Sequence, residues 1–287
     1  MPTRLQDKRV LITGASSGIG EAAAREFARQ GAEVVIVSEQ AEALHAVAAS
    51  IRKAGGRVTA VVVDLSKPEQ VRGVIPRIEA DVGPLDVLVN NAGIGLGATI
   101  METQQEKMRL LFEVNFFALA ELCKQALTAM SVRRSGRIIN ISSAAALFGS
   151  PTVSAYSATK GAVHAYSMAL RTEAVIYGVH VSEVLPVSVR TRFFDSVHGE
   201  KYKPSGVMLT SEKVAQSIVQ CAAAARPPAE VQPYYPIRFI FILTALFPSL
   251  MARIAAHLQK KSVRALNASS APVSQVKDGQ ASGQEKP

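Results

Sequence analysis

Tyr156 and Lys160 stand four residues apart in the stretch SAYSATKGA, Ser154 to Ala162. On a helix that spacing puts both side chains on one face, with an ammonium close to a phenol. Such a pair can pass a proton to or from a substrate oxygen, although the same pair also suits an ordinary exposed helix face. A hydroxyl comes from Ser143, which ends the run Asn140-Ile141-Ser142-Ser143. Ser142 is the competing hydroxyl, but strand alternation turns neighbouring residues to opposite sides. A third group is the loop Thr13-Gly14-Ala15-Ser16-Ser17-Gly18-Ile19-Gly20, which joins an apolar β-branched run to a helical pattern. Its glycines permit positive φ and close backbone approach, and the helix start offers unpaired N–H groups and a positive dipole end. The loop is a cradle for a pyrophosphate, with a plain Gly/Ser turn as the simpler alternative.

Positioning these groups requires alternating elements. Short β-branched runs lie at Arg9 to Ile12, Val34 to Val37, Val58 to Val63, Asp86 to Val89, Arg137 to Ile141 and Val179 to Leu185. Amphipathic, Ala-rich patterns separate them at Gly20 to Gln30, Gln40 to Ala54, Thr103 to Met130 and Thr152 to Tyr177. This alternation predicts an α/β fold: a doubly wound, Rossmann-type parallel sheet with helices on both faces, in one domain over residues 1–236. One more helix is expected at Ser211 to Ala225 and an edge strand within Arg226 to Pro236.

The glycine spacing resembles the TGxxxGxG loop of the short-chain dehydrogenase/reductase family. The resemblance extends to Asp64-Leu65 after the third run, Asn90-Asn91-Ala92-Gly93 after the fourth, Asn115, and the thirteen-residue interval between Ser143 and Tyr156. Together these motifs cover about residues 8 to 192. The resemblance implies hydride transfer between a nicotinamide and a secondary alcohol or ketone. Tyr156 would be the acid/base, Lys160 its electrostatic partner and a ribose ligand, Ser143 the donor to the substrate oxygen, and Asn115 the holder of a relay water. A free tyrosine has a pKa of about 10, so a phenolate near neutrality needs about 4 kcal/mol of differential stabilisation, with Lys160 and an oxidised nicotinamide as its expected sources.

By the same resemblance the cofactor would be held by Gly14, Ser16, Ser17, Gly18, Ile19 and Gly20 of the loop and by Ser38 and Glu39 after the second strand. Asp64, Leu65, Asn91, Ala92, Gly93, Val189 and Thr191 would complete its site, with Tyr156 and Lys160. Ser38 occupies the place that is usually acidic in NAD users, so the acid, Glu39, arrives one position late. A carboxylate there accepts from ribose hydroxyls and repels a 2′-phosphate, which favours NAD over NADP; a solvated helix-start acid is the alternative. Pro186-Val187-Ser188-Val189-Arg190-Thr191 departs from the family's Pro-Gly by carrying Val187, which raises a second reading, a catalytically impaired nucleotide-binding scaffold or sensor. An epimerase is disfavoured by the glycine spacing.

The composition narrows the remaining classes. The 287-residue chain is 48% hydrophobic and carries a net charge of +9, yet only 19% of its residues are charged and no basic run is interleaved with aromatics, which argues against nucleic acid. Two distant cysteines, Cys123 and Cys221, and the lack of a signal-like N-terminus point to a reducing, cytoplasmic setting. His45, His164, His180, His198 and His257 form no ligand spacing, and no metal is expected. Phe239 to Met251 is apolar nearly all round and interrupted by Pro248, and it is followed by Arg253, Lys260, Lys261 and Arg264. Crossing a membrane takes about 20 apolar residues, so this run suits a substrate lid, a subunit contact or peripheral membrane association. An apolar, lipid-like or steroid-like alcohol or ketone is therefore the expected substrate. Residues 237–266 form the expected helical extension and 267–287 an unstructured tail. Homodimer or homotetramer formation through the helices at Thr103 to Met130 and Thr152 to Tyr177 is implied by resemblance.

Overall fold

The computed structural model describes residues 4–149, 152–191, 193 and 207–257. Seven parallel strands form one sheet in the order β3-β2-β1-β4-β5-β6-β7. They are β1 Arg9–Thr13, β2 Glu33–Ser38, β3 Arg57–Val62, β4 Val87–Asn90, β5 Gly136–Ile141, β6 Val179–Val184 and β7 Glu230–Val231. The order reverses beside β1, which pairs with β2 on one side and β4 on the other. At that reversal the loops leaving the carboxyl ends diverge, and a crevice opens between them.

Strand alternation splits the core into two layers. Val10, Ile12, Val34 and Ile36 face helices α1 (Gly18–Arg29), α2 (Ala41–Lys53) and α8 (Ser211–Ala223). Leu11, Val35, Leu88 and Ile138 face α4 (Val74–Val82), α6 (Ala118–Arg133) and α7 (Ser154–Ala174). Helix α1 buries Gly20, Ala23, Ala24 and Phe27 at i, i+3, i+4 and i+7, so its inner face is smooth and close to the sheet. Phe27, fully buried, contributes about 2–3 kcal/mol by that burial.

The expected strands and long helices are present with boundaries shifted by up to three residues, and β7 is a short parallel edge strand. Two helices between β3 and β4, α3 (Pro68–Val71) and α4, had no counterpart in the periodicity reading. The long pattern from Thr103 is not one uniform helix: α5 (Gln105–Phe112) passes through a π-helical turn, Glu113–Phe117, before α6. The compact body runs through Leu246 and so includes α9 (Ile237–Leu246). A second unit begins at Phe247, where residues 248–257 are helical. No helix among the described residues is long and apolar enough to cross a membrane. The expected unstructured tail, His198, Lys260, Lys261 and Arg264 lie outside the described residues.

Candidate active site

The Gly loop leaves β1 directly and enters α1. Gly14 has φ +65°, and a Cβ there would stand 2.7 Å from the Ala92 Cα. At Gly20 a Cβ would overlap the Gly14 carbonyl and the Asn91 amide. Only glycine lets the loop and the β4 exit lie this close. Side-chain ties then lock the two together: the Thr13 hydroxyl accepts from the backbone N–H of Asn91 (3.1 Å) and Ala92 (3.0 Å), and Asn91 Nδ2 donates to the Thr13 carbonyl (2.9 Å). Periodicity gave no sign of this role for Thr13.

A cleft of about 980 Å³ lies over the switch in strand order. Its floor includes Gly14, Ser16, Ser17, Gly18 and Ile19 from the loop, Ser38 and Glu39 after β2, and Leu65, Asn91, Ala92 and Gly93. Ser142, Ser143, Tyr156, Lys160, Val189 and Thr191 line it as well. Gly20 sits behind the loop, buried in α1, and Asp64 is joined to the cleft through Glu39. The cavity thus gathers almost every residue singled out from the sequence.

Helix α7 carries the proton-transfer residues. Lys160 is only 4% exposed; its Nζ donates to the Ile141 carbonyl (2.9 Å) and lies 5.8 Å from the centre of the Tyr156 ring. Burial pulls the Lys160 ammonium down to about 8, while the Glu183 carboxyl works in the opposite direction. Burial pushes the Tyr156 hydroxyl up to about 12, with a hydrogen bond to Ser143 opposing the rise. Desolvation dominates at this hydroxyl and favours the protonated phenol. Ser143 is extended, and its Oγ also accepts from the Ala145 N–H (3.1 Å).

Asn115, wholly buried in the π-turn, is fixed by its own amide. Oδ1 accepts from the Ile94 N–H (2.8 Å), and Nδ2 donates to the Ile94 carbonyl (2.9 Å) and to Thr159 Oγ1 (3.1 Å). Its side chain ties α5–α6 to the β4 exit and to α7. A π-turn at this point interrupts the regular backbone ladder beside the cleft. Val187 lines the cleft and is not among the residues with positive φ. The loop therefore carries a branched side chain without left-handed strain.

Ser38 is buried and donates to Ser16 Oγ (3.0 Å). Glu39 lies against Asp64: burial and the neighbouring carboxylate raise its pKa, whereas Ser66 leads the causes that lower that of Asp64. The sequence reading did not anticipate this carboxyl pair. It also missed Arg190, which lines a smaller cleft of about 410 Å³ on the outer side of the loop with Ser16, Ser17 and Arg25. Arg25 is engaged by Glu21 (2.8 Å).

The substrate end of the main cleft is apolar: Ile94, Val114, Phe148, Val153, Phe193 and Val207, with Tyr234, Ile237 and Ile240 from the approach to α9 and its first turn. Phe193 packs on Tyr156 with ring centres 5.4 Å apart, and Phe148 meets Phe241 of α9 at 6.2 Å. Helix α9 is thus a wall of the cleft.

Residues 8–201 match the short chain dehydrogenase family. This chain belongs to that family. It is 38% identical to the ketoacyl reductase HetN of Nostoc sp. over 184 residues, 64% of each chain. To the 3-ketodihydrosphingosine reductase of Bacteroides thetaiotaomicron it is 36% identical over 195 residues, 67% of this chain and 68% of that one. A short chain dehydrogenase/reductase from Burkholderia phymatum solved with NAD superposes with a TM-score of 0.78 at 25% identity, covering 86% of this chain and 96% of that one. One from Sphingobium yanoikuyae, in complex with NADPH, gives 0.74 at 27% identity, with 94% and 99% covered. The fold, the glycine loop and the cleft at the strand switch are thus those of a nicotinamide-dependent oxidoreductase family.

Proposed function

We propose that this protein is an NAD(P)-dependent oxidoreductase that interconverts an apolar, lipid-like ketone and its secondary alcohol. The observation that carries the reading is the convergence of Ser143, Tyr156 and Lys160 beneath an apolar wall, at the end of a cleft whose other end is the glycine cradle. The cradle fits a dinucleotide, because Gly14 and Gly20 let the loop close onto the β4 exit and the N-terminus of α1 opens on the cleft. When bound, the nicotinamide supplies or accepts the hydride.

The chain's own residues handle the proton. With its hydroxyl held up to about 12, Tyr156 is a phenol at neutral pH and is suited to protonate the oxygen of a ketone being reduced. Ser143 donates to the same oxygen and stabilises the charge that develops there. Lys160, positively charged below about pH 8, favours the phenolate left behind. Reduction is the direction this favours. Asn115 holds the surrounding backbone in place.

Cofactor choice turns on Glu39 and Asp64. Two adjoining carboxyl groups at the adenosine end repel a 2′-phosphate and accept ribose hydroxyls, which favours NAD. Arg190 beside Ser16 and Ser17 supports the second reading, NADP. The chain lacks tryptophan, so the direct test is calorimetry of the full chain with NADH and NADPH. Tighter NADH binding supports the Glu39 reading, and tighter NADPH binding transfers the role to Arg190.

The apolar outer face of α9 supports peripheral membrane contact at the mouth of the cleft, with Phe239 63% and Leu246 66% exposed. Exposed Leu110, Phe117, Met168 and Ile176 support a homodimer or homotetramer through α5 to α7. A cytoplasmic location fits the two buried, unbridged cysteines. Retention of the nucleotide with no turnover of any alcohol or ketone would instead favour the scaffold reading raised by Val187.

A further inference from the structure

One buried acid has no part in the scheme above. Glu183, on β6, has no exposed surface and lies beneath the helix that carries Tyr156 and Lys160. Its Oε2 is 2.7 Å from His164 Nδ1, whereas Oε1 has no hydrogen-bond donor. His164 is one helical turn beyond Lys160, so the two share the face of α7 that meets the sheet. On that face Lys160 reaches the Ile141 carbonyl of β5, and Glu183 is the cross-strand partner of Asn140, the residue before Ile141. The Ser142 hydroxyl, also next to the Glu183 carboxyl, donates to the Lys160 carbonyl at 3.2 Å. The buried ammonium of α7 and the buried carboxyl of β6 therefore meet the sheet at adjacent levels, at Ile141 and beside Asn140.

We propose that Glu183 is a positioning residue of the active site: an internal counter-charge, held by His164 beneath α7, that favours the ammonium form of Lys160. The inference rests on the reading of Tyr156 and Lys160 given above. Buried charges persist only when paired, and Lys160 has the Ile141 carbonyl and the Tyr156 ring, 5.8 Å away, as its described partners. The field at Glu183 comes from every side. Helix α7 contributes Lys160, His164 and Arg171, the last donating to the Val181 and Ala229 carbonyls. β7 contributes Glu230, cross-strand from Glu183, whose charge opposes ionisation of the buried acid. From β5 and the residue after it come the uncharged Asn140, cross-strand from Glu183, and Ser142. Burial raises the Glu183 pKa and Glu230 adds to the rise, whereas the contact with His164 opposes both and favours the carboxylate near Lys160.

The test is a pH titration of the full chain labelled with 13Cε-lysine and followed by NMR, the Lys160 resonance being the one lost in K160R. In E183Q the Lys160 midpoint is expected to fall by about one unit from its wild-type value. The alkaline limb of kcat should move down with it while KM for the cofactor changes little. An E183Q protein that is folded, with an unchanged Lys160 midpoint, overturns the proposal. If E183Q does not fold, E183D and E183N, equal in size and different in charge, give the same comparison. The midpoint should lie about one unit higher in E183D, and equal midpoints overturn the proposal. The titration needs no substrate, so its failure is distinct from failure of the oxidoreductase reading, which would show as full turnover in Y156F.

Discussion

The two ends of the cleft are built differently. At the cofactor end, shape comes from backbone: glycines that exclude a Cβ, a helix start, and the Thr13–Asn91 ties that pin one strand exit to the next. At the substrate end, shape comes from apolar side chains on separate segments, Phe148 before α7, Phe193 after β6 and Ile237 and Ile240 on α9. Backbone geometry tolerates few residue types, whereas an apolar wall accepts any side chains of suitable volume. The first end is therefore specific in sequence and the second in shape.

Substitutions can break this contrast or sharpen it. The largest loss is expected where the ends meet: Tyr156→Phe should lower kcat by about 10³-fold with cofactor affinity kept, measured by steady-state turnover and calorimetry. Ser143→Ala should cost about 10²-fold in kcat by the same assay. At the cofactor end, Gly20→Val should weaken NADH binding by about 100-fold, or about 2.7 kcal/mol, in calorimetry. Glu39→Arg should shift the ratio of NADPH to NADH affinity upward by about tenfold. The smallest effect belongs to the apolar wall: Ile240→Ala should raise KM for long-chain ketones a few-fold and leave short ones unchanged. Equal effects on both chain lengths would remove α9 from substrate selection. With pH, reduction should hold through neutrality and fall as Lys160 loses its proton above about pH 8.

The same contrast explains what the sequence made legible. The strands and the glycine loop follow from local pattern, and β1 with Gly14 to Gly20 needs no partner to be recognised. Tyr156, Lys160 and Ser143 came from spacing and resemblance. The direction of the Tyr156 shift did not, because it depends on burial by Phe193 and the cleft walls. The Glu39–Asp64 pair, Arg190 beside the loop, and Glu183 under Lys160 each join residues from different strands or loops, which no linear pattern displays. Helices α3 and α4 were missed because the first is a single turn opening on Pro68 and the second spans nine residues, too few for a clear period. The long helical pattern at Thr103 hid the π-turn that carries Asn115.

The central claim is that this cleft passes a hydride between nicotinamide and an apolar carbonyl carbon. It is tested most directly by incubating the full chain with NADH or NADPH deuterated at C4 and a panel of long-chain ketones, then examining the alcohols by mass spectrometry. Deuterium at the carbinol carbon, absent with Y156F, is the expected result. Nucleotide bound with no deuterium transferred to any ketone, from either face of the ring, would contradict it.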